Sequence, residues 1–180
     1  MFDGSKLSNE DNIAATTEIV KAAHACGVTV EAEIGHVGGN EGTTDEGVAK
    51  SEYYTKPEDA EEFAARTGID ALAASVGTVH GFYQAEPKLD FERIAELKRV
   101  CGVPLVMHGG SGLSRGDTRA AIAAGIRKIN YFSYMSNAGV RAVEALIAEQ
   151  HPKYFHALAN AATKAMQADA ESAMEMFSMK

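Results

Sequence analysis

What this 180-residue chain has little of narrows it first. Positive charge is scarce: 17 Lys and Arg against 25 Asp and Glu give a formal net charge of −8, and no basic run interrupts that balance. Such a chain has no electrostatic footprint for nucleic acid or for an anionic membrane surface. Any phosphorylated ligand must therefore be held by local backbone dipoles and a few cations. Long apolar runs are missing too. None approaches the roughly 20 residues that cross a bilayer, and the first residues show no basic segment followed by an apolar one, so the expected location is cytoplasmic. Cysteine is limited to Cys26 and Cys101, without a C-x-x-C pair. Both fall in the last turns of predicted helices, which favours buried free thiols over a disulfide or a metal site.

What is present is a regular cadence in a chain long enough for one domain with a real core. Met1 to Ser5 reads as the end of a strand and its turn. Ser8 then caps a helix with apolar spacing through Ile13, Thr17, Val20 and Ala23, closed by Gly27. A strand follows over 28–34, and its Glu31 and Glu33 share one face because i and i+2 point together. Two acids on one strand face are costly to bury without a partner, so either they face solvent or something cationic sits between them. Residues 35–52 are Gly-rich and polar, the length of a functional lid or a disordered loop.

Pro57 fits the first turn of a helix that ends at Gly68. The mostly apolar run 70–76 is a strand buried on both faces, as in a parallel sheet. Asp90 caps a helix with Ile94, Leu97 and Cys101 on its core stripe. Residues 127–132 form a last short strand, and from Ser133 the chain is helical, broken once at His151-Pro152. The Met-rich tail reads as a helix packed on the body or on a second subunit. The organisation expected is residues 1–150 as the α/β body and 151–180 as a helical tail.

The chain is organised around Val103-Pro104-Leu105-Val106-Met107-His108-Gly109-Gly110-Ser111-Gly112. A strand ends in a His, runs into glycines around a Ser, and meets a helix start, because Ser114 and Asp117 make a capping box. Glycines let backbone N–H groups face a ligand, and the helix start adds its own, so an anion such as phosphate would sit well here. His80 follows the preceding strand in the same way, and Glu33 lies near the end of the strand before that. In a parallel sheet these ends converge on one edge, which brings two imidazoles and a carboxylate within reach of one ion. About five strands are countable, fewer than the eight of a closed (β/α)₈ barrel. A doubly wound sheet would hold five, but does not usually gather histidines at successive strand ends.

Five motifs in order carry a resemblance: Met1-Phe2-Asp3-Gly4-Ser5; Val30-Glu31-Ala32-Glu33-Ile34-Gly35 with Gly38-Gly39-Asn40-Glu41; Gly77-Thr78-Val79-His80-Gly81; Pro87-Lys88-Leu89-Asp90-Phe91; and His108-Gly109-Gly110-Ser111-Gly112. Over roughly residues 1 to 145 the chain resembles the class II, zinc-dependent ketose-bisphosphate aldolases. That resemblance implies a TIM (β/α)₈ barrel, present as roughly its C-terminal half plus C-terminal helices. It implies reversible cleavage of fructose or tagatose bisphosphate into dihydroxyacetone phosphate and an aldehyde, with Zn²⁺ and a monovalent cation as ions and a homo-oligomer as the full-length form. His80 and His108 match zinc ligands, and Glu33 matches a carboxylate that binds the metal when it shifts. Glu41 matches the proton-moving acid of the mobile loop. Gly81, Gly109, Gly110 and Ser111 match phosphate contacts, and Asn130, Tyr131, Phe132 and Ser133 match the other substrate-binding strand end.

Three departures accompany the match. Gln84 stands where the family usually has Lys. Tyr131-Phe132-Ser133 replaces smaller residues, often with Thr or Asp. The family's first zinc-binding His and its neighbouring Asp lie upstream in that pattern, and no Asp-x-His or Asp-His pair here replaces them; His36 could approach the site, whereas His24, His151 and His156 read as filler or lie far from it. The expectation is a truncated chain, with Met1 in mid-strand, that has little activity alone. The alternative is a non-catalytic half-barrel that binds phosphosugars or associates with another chain.

Overall fold

The structure, a computed structural model, describes residues 1–39 and 53–179. Five parallel strands alternate with helices: β1 (Phe2–Asp3), α1 (Asn9–Ala25), β2 (Glu31–Ile34), α2 (Pro57–Thr67), β3 (Ala71–Ala74), α3 (Phe91–Cys101), β4 (Leu105–Met107), α4 (Arg115–Ala124), β5 (Ile126–Ile129), α5 (Ser133–Gln150) and α6 (Phe155–Phe177). The sheet order is β1-β2-β3-β4-β5, every neighbour parallel. Each strand pairs with the next in sequence and the order never reverses, so there is no switch point of the doubly wound kind. Helices α1 to α4 pack each against the next along one face. A singly wound sheet with its helices on one side is an arc of a (β/α)₈ barrel, with the other face turned inward.

The capping chemistry holds as written in the sequence. Ser8 Oγ accepts from the Asp11 amide and Ser114 Oγ from the Asp117 amide, while Asp90 accepts from the Arg93 amide. Pro57 opens α2, and α2 and α3 close on Gly68 and Gly102 in the left-handed region. Between sheet and helices lies the core, in which Phe63, Leu72, Ile94, Leu97, Leu105, Met107 and Ile126 are all fully buried.

Strands are shorter than their apolar runs. The Asp70 carboxylate accepts from the Val30 amide at 2.6 Å and its own amide donates to the Val30 carbonyl, so a side chain closes this end of the ladder before β2 and β3 begin. The last strand runs from Ile126 to Ile129 and not from 127 to 132, because Phe132 already serves as the N-cap of α5. On α1 the buried threonine is Thr16 rather than Thr17. Its hydroxyl donates to Asn12 Oδ1, and Asn12 Nδ2 donates to the Glu33 carbonyl at 3.0 Å, fixing the end of β2 against α1.

Cys101 is buried, its thiol pushed up to about 11 by desolvation. Cys26 is exposed, contrary to expectation, because it is the C-cap residue of α1 and the helix ends before it can turn inward. Helix α6 lies along α5 and reaches α4, with Met166 against Gly139, while Met174 and Met179 face outward.

Candidate functional site

The C-terminal ends of the strands surround a cavity of ≈ 510 Å³ whose lining includes Asp3, Lys6, Glu33, His36, His80, His108 and Asn130. Strand alternation explains how they meet. Glu31 and Glu33 project from the same face of β2, and His108 follows β4 directly. Between the two carboxylates lies the cation that their burial demands: the His108 ring itself. Its Nδ1 is 2.9 Å from Glu33 Oε2 and its Nε2 is 3.1 Å from Glu31 Oε1, with His108 and Glu33 side chains only 3% exposed. Lys128 on β5 closes the group, its Nζ 2.8 Å from Glu31 Oε2 and 2.7 Å from Asn130 Oδ1.

The electrostatics follow from these contacts. Burial alone would push His108 down, but the carboxylates of Glu31 and Glu33 outweigh it and raise the imidazole to about 9. Glu31 in turn is held below the ordinary carboxylate range, first by its hydrogen bond with His108 and then by Lys128. The Asp3 carboxyl, although desolvation opposes it, is lowered by the Ser5 hydrogen bonds and by the nearby imidazoles. The His80 and His108 ring centroids are 5.6 Å apart.

The glycine segment beside these imidazoles is tied down on both sides. Gly109 has φ +66°, and a Cβ there would overlap the Val79 carbonyl, so only glycine fits this close approach. Tyr83 Oη donates to the Gly109 carbonyl at 2.8 Å, and the His80 amide donates to the Gly38 carbonyl at 2.7 Å. The Gly110 amide donates to the Asn130 carbonyl, and Ser111 Oγ accepts from the Phe132 amide at 3.0 Å. Loops after β2, β3, β4 and β5 are thus stitched into one rim.

Of the residues singled out in the sequence, Glu33, His80, His108 and Asn130 share the main cavity. Gly81, Phe132 and Ser133 line a neighbouring cavity of ≈ 190 Å³ together with Phe82. Tyr131 lies elsewhere: its hydroxyl donates to Asp169 Oδ1 on α6 and its ring meets Phe177. His24 sits near the surface against Asp70. Glu41 and most of the Gly-rich stretch lie outside the described residues. Sequence reasoning gave no role to Lys128 and only a passing one to His36, which lines the cavity. The signal for Lys128 was available, since Lys128 and Asn130 are two apart on a strand end, as Glu31 and Glu33 are.

The donor types suit zinc in part. Two imidazoles and a carboxylate are close, but both ring nitrogens of His108 are engaged by carboxylates, and among the described residues no three His, Cys, Asp or Glu side chains are grouped to hold a metal. As arranged, these residues do not make a complete zinc site.

A sequence model of the family described as fructose-bisphosphate aldolase class-II matches residues 1–180. The chain belongs to this family. A relative from Bacillus subtilis (strain 168), named "Probable fructose-bisphosphate aldolase", is 40% identical over 154 residues, covering 86% of this chain and 53% of that protein. Among solved structures, the YdjI aldolase of Escherichia coli K12 superposes with a TM-score of 0.79 at 35% identity, covering 97% of this chain and 59% of the other. The fructose-bisphosphate aldolase of Campylobacter jejuni gives 0.78 at 25% identity, over 98% of this chain and 59% of its own. The chain therefore spans about half the length of the curated relative, and it is a partial TIM barrel of the class II aldolase type. No described helix is long and apolar enough to cross a membrane.

Proposed function

We propose that this chain supplies the imidazole and phosphate-binding side of a class II aldolase site. In a complete barrel that site cleaves a ketose bisphosphate, fructose or tagatose 1,6-bisphosphate, reversibly into dihydroxyacetone phosphate and an aldehyde. The observation that supports this reading is the convergence of Glu33, His80, His108 and Asn130 on one cavity beside a glycine rim. A zinc ion in the complete site would act as a Lewis acid toward the substrate ketone. The chain's own residues then divide the remaining work. The glycine rim after β4 is assigned to the phosphate, with the Gly110 amide held by the Asn130 carbonyl and so not among its donors, while Asn130 faces the substrate oxygens and Glu41 moves the proton. Two imidazoles fall one short of the three protein ligands of a catalytic zinc, so the chain alone is assigned little activity.

The test is a coupled assay for triose phosphate release from fructose 1,6-bisphosphate. The expected result is no turnover by the 180 residues alone and turnover once the remaining strands of a class II barrel are supplied in the same or a second chain. Turnover by the isolated chain near the roughly 10 s⁻¹ typical of enzymes would refute the incomplete site. A second reading, a binding half-barrel without catalysis, is favoured by the engagement of both ring nitrogens of His108 by Glu31 and Glu33. Discrete dimers in size-exclusion chromatography that tighten with dihydroxyacetone phosphate, with no turnover after the barrel is completed, would select it.

A further inference from the structure

Strand β5 contributes a residue whose contacts define the orientation of another. Lys128 has only donors to offer, so the Asn130 atom 2.7 Å from its Nζ must be the carbonyl Oδ1. That assignment leaves the Asn130 NH₂ group as the part of the amide available to a ligand in the cavity that Asn130 lines. Lys128 is itself directed by Glu31 Oε2 at 2.8 Å, and the other oxygen of the same carboxylate lies 3.1 Å from His108 Nε2. One carboxylate on β2 thus holds both the lysine that turns Asn130 and the imidazole after β4. Glu31 and Lys128 are not themselves among the residues that line the cavity.

We propose that Glu31 and Lys128 are a positioning pair, which turns the Asn130 amide so that its NH₂ donates to an anionic or carbonyl oxygen of a phosphorylated ketose. This rests on the reading of the cavity as a phosphosugar site. Without the pair the amide is free to flip, and a flipped Asn130 would present its carbonyl to oxygens that repel it. The pair is half open to solvent on the lysine side, so its value lies in direction more than in stability.

The test uses the 180-residue chain, ¹⁵N-labelled, titrated with dihydroxyacetone phosphate, with the Asn130 side-chain NH₂ signals assigned by their loss in Asn130→Asp. In the wild type those signals move as the ligand binds. Lys128→Met keeps the aliphatic stem but removes the donor. It is expected to weaken binding about tenfold, the effect of one lost hydrogen bond to a ligand, and to abolish the Asn130 response. Lys128→Arg, which restores a cationic donor, recovers both in part.

Should Lys128→Met fail to fold, Glu31→Gln gives the same reading with a smaller loss. Weakened binding with an unchanged Asn130 response means that only positive charge was lost, and overturns the pairing. Unchanged affinity in Lys128→Met overturns it too, while leaving the phosphosugar reading intact. Absence of any binding by the wild type removes that reading and this inference with it.

Discussion

Removing His108 is the sharpest perturbation this structure offers. In the metal-free chain, kept so with a chelator, the ring is the counter-charge for both Glu31 and Glu33, and His108→Ala leaves two carboxylates on one strand face with Lys128 reaching only the first. The magnitude can be worked in two ways. The rise of the imidazole from 6.5 to about 9 corresponds, at ~1.4 kcal/mol per pH unit, to about 3 kcal/mol of preference for the protonated ring in the folded state. Breaking a buried ion pair by deleting one partner costs about 3–5 kcal/mol in general. A loss near 3 kcal/mol is thus expected at pH 6, read as a shift in the urea midpoint by circular dichroism.

The pH dependence has a definite sign. Because the folded value lies above the unfolded one, the contribution is fully present below about 6.5 and disappears as the pH rises through about 9. The gap between wild type and His108→Ala should therefore narrow from pH 6 to pH 10. Adding Glu33→Gln to His108→Ala should recover stability, since it removes the carboxylate left without a partner. A loss below about 1 kcal/mol at pH 6, or no recovery in the double variant, would refute the argument that His108 is the buried cation of this site.

Two further outcomes are expected. Gly109→Ala, which sets a Cβ against the Val79 carbonyl at φ +66°, should destabilise by more than about 1 kcal/mol in thermal unfolding and remove binding of dihydroxyacetone phosphate in calorimetry. Asp70→Asn should lower the urea midpoint at pH 7, because the Asp70 carboxylate accepts from Val30 and His24. Its own value is held below the ordinary 3.8 by those bonds, so the difference from wild type should close as the pH falls below that range.

How much of this was legible in the sequence varies with the physics. The helix starts at Ser8, Asp90 and Ser114 were readable because capping is local. The convergence of Glu33, His80 and His108 was readable because parallel strands have only one C-terminal edge. The pairing of Glu31 and Glu33 with His108 was posed as a choice between solvent and a cation, and only tertiary structure could decide it. Tyr131 could not be separated from Asn130 by pattern, since its partner Asp169 lies 38 residues away on α6. Cys26 was misplaced because one residue of fraying at a helix end decides whether a side chain turns inward. Lys128 was passed over because its spacing of two from Asn130 marks a shared direction but names no partner until Glu31, three strands away, is in place.

The sheet order gives these charges a history as well as a place. Glu31 and Glu33 belong to β2, whereas their partners arrive with the end of β4 and with β5, some 75 to 97 residues later in the chain. With β1, β2 and β3 formed but β4 and β5 not yet docked, two acids lie on the face destined for the interior without the His108 and Lys128 contacts that pair them in the folded structure. That face must stay wet until His108 emerges, because dry carboxylates without partners are too costly. The docking of β4 and β5 is therefore the step at which the inward face of β2 acquires its counter-charges, and the burial of that face is tied to the arrival of strands from the far end of the sheet.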